Sequence, residues 1–443
     1  MSLFSIILLL LQMILSFNYI KIPFERTYKE KITKNNYIDH LLNSELTCKI
    51  PIGTPEQIIH FHIKLNKYAT FISSSNIKEI NNDIIKFNEI QSSSYEKSNK
   101  INYYSPNQEF SYGIESIDNF NLKNDKMKNL NKKIQFILAT SLRKNESAGL
   151  GLDIHIPRGQ KLNQVNLINQ LKENNDINSY GFSFYFENKN YYLILGAYPN
   201  EYNSNYDIED FLKIQTQIDS YNIKWGMKTD KIIYNNKTLN IYKEISLEPS
   251  IKSIIGTKSY YLNITNDFFN EYLNLNKCKS KIINGNIFDE NGEFLFFYCD
   301  NDVDIKKFKS IIFVFNGFNY QLSYKELFES FENVIYFLVG FKYENNNISD
   351  IQNWIMGQPF FSKNILVFDQ NNKIIGFYTK TKRPFSLTFI ILILIIIILI
   401  LIIISLIFYF YRYIRSHRKI RANELDDNYD YFPQNENKEG LIN

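Results

Sequence analysis

The chain has 443 residues, room at about 150 per domain for some three domains or one large body with appendages. Lys and Arg number 50 against 46 Asp and Glu, so the formal charge is +4 and gives no electrostatic reason to expect a nucleic-acid partner. A hydrophobic share of 44% with 16% aromatics excludes a mainly disordered chain, and three cysteines exclude a disulfide-rich scaffold.

Residues 1–17 carry the run Leu3–Phe17, apolar and about 15 long, which fits the core of a secretory leader better than a spanning helix of ~20 residues. No positive charge precedes it. Residues 385–411 hold no charge at all, and as a helix they exceed the ~30 Å hydrocarbon core of a bilayer. Tyr409 and Tyr411 stand where an interfacial aromatic belt would lie, and Arg412, Arg415, Arg418, Lys419 and Arg421 follow. With a leader at the other end, this is a single-span type I arrangement: body lumenal or extracellular, residues 412–443 cytosolic. The tail from Ala422 is acidic and without apolar periodicity, so it reads as disordered. A secretory route makes Asn145, Asn236, Asn263 and Asn347 glycosylation candidates, since each opens an Asn-x-Ser/Thr sequon.

Between the ends, short alternating or apolar runs recur every ten to twenty residues: IIHFHIKL, KIQFILA, GFSFYFE, YYLILGAY, KSIIFVF, NILVFD, IIGFY. They are separated by Asn/Gly/Ser-rich turns. Helical patterning is brief, near Gln164–Leu171, Asp267–Leu275 and Tyr324–Phe331. The expected fold is mostly β, and about 335 residues call for two lobes. The charged, Asn-rich stretches Asn81–Lys100 and Leu122–Lys133 read as solvated insertions.

Eight fragments then stand in a telling order: Ile52-Gly53-Thr54-Pro55, Ser92-Ser93-Ser94-Tyr95, Asn102–Ile114, Ala148-Gly149-Leu150-Gly151, GFSFYFENKNYYLILGAY, Trp225, Trp354-Ile355-Met356-Gly357, and Ile365–Asp369 with Ile374–Phe377. Together they resemble the pepsin-like aspartic peptidases over about 330 residues. Lys21-Ile22-Pro23-Phe24 resembles the start of that family's propeptide. The resemblance implies a bilobal pepsin-like acid-protease fold with a C-terminal transmembrane helix. It divides the chain into a leader (1–17), a propeptide-like segment (18–44), an N-terminal lobe (45–205), a C-terminal lobe (206–380), the span and the tail. Each lobe lends one aspartate from an Asp-Thr/Ser-Gly turn, under which an apolar-apolar-Gly segment threads. Leu150-Gly151 and Met356-Gly357 hold those places. A flap closes over substrate, and Tyr103 matches its tyrosine. Tyr298-Cys299 resembles one half of a lobe disulfide, which would join Cys278 to Cys299 and leave Cys48 buried and free, or paired between chains.

The acids themselves are missing. The first motif falls on Asn66-Lys67-Tyr68-Ala69-Thr70, and no Asp or Glu lies within five residues of Asn66. The second is placed on Ile254-Ile255-Gly256-Thr257, where Gly and Thr survive, Thr257 as a substrate-binding candidate, but the acid is Ile254. Glu248 lies six residues upstream, on a geometry expected to aim it elsewhere. The chemistry needs two carboxylates sharing one proton, one to activate water and one to donate to the carbonyl oxygen. No catalytic residue is therefore intact, no cofactor is called for, and no metal set is evident. His60 and His62 share a strand face without a third ligand. The sequence favours an inactive peptide- or protein-binding relative of the aspartic endopeptidases, whose family activity is peptide-bond hydrolysis. Two rivals stand beside it: a working membrane-bound endopeptidase with an atypical site, and a structural or adhesive surface protein.

Overall fold

The computed structural model describes residues 18–28, 30–77, 85–103, 110–124, 129–142, 147–154, 165–187, 190–203, 206, 211–216, 225–287, 290–378 and 387–426. The leader 1–17 and the sequon at Asn145 lie outside them. Residues to Thr381 form one compact unit and those from Lys382 a second.

The first unit is mostly β and bilobal. A 13-stranded sheet begins with six antiparallel strands drawn from both halves of the chain: Phe211–Gln215, Ile374–Tyr378, Ile365–Asp369, Gly181–Glu187, Asn190–Leu195 and Ile20–Tyr28. It continues into the first lobe through Ser44–Ile52, Gln57–Lys64, Ala148–Gly151, Phe71–Ser73, Asn129–Leu142, Phe110–Lys123 and Glu96–Tyr103. A 10-stranded and a 4-stranded sheet build the second lobe. Alternation explains these strands. In Gln57–Lys64, Ile59, Phe61 and Ile63 are buried, whereas Ile58, His60, His62 and Lys64 stay at least partly exposed. One apolar core runs through both lobes, and Phe182, Trp225 and Phe368 pack ring on ring where the halves meet.

Within the propeptide-like segment, Ile20–Tyr28 pairs on one side with Asn190–Leu195 and on the other with Ser44–Ile52. Two expectations need correction. Tyr324–Phe331 is helical only to Leu327; Phe328–Phe331 is a strand, because it pairs with Val334–Phe337. The two presumed insertions carry structure as well. Phe87 is fully buried, and Leu122–Lys133 includes the ends of a long hairpin with Leu122 in the core.

Cys278 and Cys299 face each other across a strand pair and are disulfide-bonded. Loop-closure entropy makes such a bond worth about 3 kcal/mol. Cys48 is free and buried.

The second unit is a helix, Leu387–Asp426. Its stretch Ile395–Arg415 is long and apolar enough to cross a membrane. The helix outlasts the span by eleven residues, where a disordered tail was expected from Ala422; Ala422, Glu424 and Leu425 are strong helix formers and carry it on.

Burial pushes the Cys48 thiol up to about 12. The thiolate is the nucleophile, so at pH 8 this sulfur is almost wholly in its unreactive form. Treating the native protein with a thiol-specific disulfide reagent at pH 8 is expected to label nothing at Cys48. The same reagent in guanidinium should label it fully, and rapid native labelling would contradict the burial.

Candidate functional site

The two lobes repeat one arrangement. In the first, Gln57–Lys64 runs parallel to Ala148–Gly151 with Lys64 opposite Gly151, and Phe71 lies antiparallel opposite Gly149. In the second, Glu244–Leu247 runs parallel to Trp354–Met356 with Leu247 opposite Met356, which sets Glu248 against Gly357, and Ile255 lies antiparallel opposite Ile355. Six residues separate Lys64 from Phe71, and six separate Glu248 from Ile255. Each glycine is pressed against its loop. A Cβ on Gly151 would lie 2.6 Å from the Ala69 carbonyl oxygen, and one on Gly357 would lie 2.1 Å from that of Ser253. Ala69 and Ser253 occupy the same step of the two loops.

This register makes Ser250, not Ile254, the counterpart of Asn66. Ile254 lies four residues further on, buried in the strand Ile254–Gly256 beside Val339. Gly256-Thr257 imitates the motif in sequence only. Thr257 is fully buried at the start of the helix Lys258–Ile264, and its hydroxyl donates to Asn240 Oδ1 at 3.3 Å. Tyr103 sits in its strand opposite Gly113, but its side chain, like residues 104–109, lies outside the described part.

In the first loop Asn66 is half-buried, and Lys67 and Tyr68 are buried. Tyr68 does not fill a groove: its ring packs with Ala69, Phe71, Ile137, Ala139 and Val165. Its hydroxyl accepts from Asn169 Nδ2 at 2.9 Å, and burial pushes it up to about 12. Asn166 Nδ2 donates to the Tyr68 carbonyl at 3.3 Å. This loop is buttressed from within its own lobe.

In the second loop the Ser250 hydroxyl and backbone N–H both donate to Glu248 Oε1. Glu248 thus points back onto Ser250, the counterpart of Asn66. Lys252 stands two residues further along this loop. Its ammonium sits 2.9 Å from Glu329 Oε2, donates to the Tyr37 hydroxyl, and lies 4.7 Å from that ring's centroid. Desolvation lowers the Lys252 pKa, opposed by Glu329. Arg26 donates to the carbonyls of Pro249, at 2.8 Å, and Ser250.

His62 Nδ1 lies 2.9 Å from Glu45. Among the described residues no group of three or more His, Cys, Asp or Glu is placed to hold a metal ion. Asn236 and Asn347 are exposed, whereas the Asn263 amide donates to the Ser259 carbonyl within its helix.

Two β lobes, each with a loop crossing over a glycine on a parallel neighbour, define the bilobal acid-protease architecture. A family profile described as eukaryotic aspartyl protease matches residues 45–380, more than half of the chain. The chain belongs to that pepsin-like family. No curated protein matches it.

A methyl group on Gly357 has nowhere to go but into backbone. Gly357→Ala is expected to cost more than ~3 kcal/mol in urea unfolding or to prevent folding. Gly181→Ala, whose new atom would come no closer than 3.2 Å, to the Ser179 hydroxyl, with Tyr198 and Val367 at 3.7 Å, is expected to change the midpoint little.

Proposed function

We propose that this chain is a type I membrane-anchored, pepsin-like protein whose lumenal or extracellular body binds a peptide or protein segment in its interlobe cleft without hydrolysing it. The observation that carries this reading is the pair of residues at corresponding places in the two loops, Asn66 and Ser250. A carboxamide and a hydroxyl cannot share a proton, activate water and protonate a carbonyl as two carboxylates do. The family supplies the peptide-binding cleft, and the flap residue Tyr103 is its assigned closing contact. The single apolar helix and the disulfide Cys278–Cys299 support a membrane protein of the secretory or endolysosomal route or the cell surface. Glycans belong on the exposed residues Asn236, in a turn, and Asn347, at the start of a short strand.

Glu248 favours one alternative, a working peptidase with an atypical acid. Its Oε1 accepts from the Ser250 hydroxyl and backbone N–H, Arg26 interacts with it electrostatically, and the facing loop 65–70 contains no acid.

A broad peptide library at pH 3–7 decides between the two. The expected result is no pepstatin-sensitive turnover, with peptides retained by binding. Turnover that disappears in Glu248→Gln would replace the binding reading with proteolysis. Enzymatic removal of N-glycans from protein made in a secreting cell is expected to convert Asn236 and Asn347 to Asp in peptide mass spectra and to leave Asn263 unchanged.

A further inference from the structure

We infer that the strand Ile20–Tyr28 is not a removable leader to the fold. It stays in the working protein as a strap that holds the second motif loop in place. Three independent contacts argue for this.

The strand is an interior member of its sheet. Ile20, Ile22 and Phe24 are buried, and among the described residues it lies in strand order between Asn190–Leu195 and Ser44–Ile52. Taking it out would open the sheet and expose both neighbours' backbone groups.

Its last turn reaches the loop directly. The Arg26 guanidinium donates to Ser44 Oγ at 2.7 Å and to the carbonyls of Pro249 and Ser250, and Ser44 Oγ donates to the same Ser250 carbonyl at 2.6 Å. The following 3-10 turn Tyr37–Leu41 takes up the rest. The Leu41 carbonyl accepts from Lys252 N–H and from Ser253 Oγ, each at 3.0 Å. Tyr37 stacks on Phe331 with centroids 4.5 Å apart, Asp39 pairs with Lys281 at 2.9 Å, and Ile251 shares a core cluster with Tyr37, Ile38, Leu41 and Leu42.

Every residue from Pro249 to Ser253 therefore rests on residues 26–44. In the first loop, the contacts to Tyr68 and Thr70 come from Val165, Asn166 and Asn169 of its own lobe. The strap is thus a positioning element for the second loop. That no self-cleavage removes it rests on the proposed loss of the acids; the clamp itself does not.

The full-length chain, isolated from the membranes in which it is made, supplies the test. N-terminal sequencing is expected to find a start between Ser16 and Tyr19, and a start at Lys29 or later overturns the inference. A specific protease site placed in the exposed link 31–35 provides a second reading. After cutting, the fragment carrying Ile20–Tyr28 is expected to co-elute with the body until the body is unfolded; release from a still-folded body overturns it. In Arg26→Ala, hydrogen exchange of peptides covering 249–257 is expected to accelerate at least tenfold, with those covering 365–378 unchanged and Arg26→Lys intermediate. Equal exchange in Arg26→Ala and the parent removes the clamp. Peptide binding is followed separately: its loss with the strap retained counts against the cleft reading alone.

Discussion

The geometry of both motif loops depends on the approach of one backbone to another. Gly151 and Gly357 have no side chain, and each lets a loop carbonyl come closer than any Cβ would allow. Parallel pairing on one side and antiparallel pairing on the other then fix where each loop starts and stops. With the path set by backbone, the side chains carried on it are free to change. The proposed binding reading rests on that freedom: Asn66, Lys67 and Tyr68 in one loop and Ser250, Ile251 and Lys252 in the other ride on the same crossing. Scaffold and chemistry are separable, and function has to be argued from the site.

These side chains are absorbed in different ways. Tyr68 turns into a small apolar cluster of its own lobe and satisfies its hydroxyl on Asn169. Lys252 leaves the loop's axis for Glu329 and Tyr37. A partly buried ion pair of this kind adds little net stability, yet losing one member leaves a charge without compensation. Tyr37 and Glu329 are therefore what makes a lysine tolerable in this loop.

The strands were legible because period-two alternation survives in runs such as Gln57–Lys64, and the family was legible because its fragments keep their order. The second motif was not. Ile255-Gly256-Thr257 carries the motif's Gly-Thr and draws the alignment four residues downstream. Only the register against Trp354–Met356 shows that the corresponding step is Ser250. Phe328–Phe331 has the spacing of a helical stripe, but a neighbouring strand overrode it. Phe87, inside a charged Asn-rich stretch, is a single core anchor that composition hides. Arg26 and its two carbonyl acceptors are more than two hundred residues apart, beyond the reach of any local pattern.

That separation bears on biosynthesis. The strand Ile20–Tyr28 is made well before its sheet neighbour Asn190–Leu195 and the carbonyls that Arg26 grips. The sheet that joins the halves also needs Ile365–Asp369 and Ile374–Tyr378, translated just before the apolar helix. Pairings this distant are slow to form, and unpaired apolar strands waiting for them are prone to aggregate. Closure of the body consequently waits for residues 365–378, and the nascent chain must be shielded until they are made.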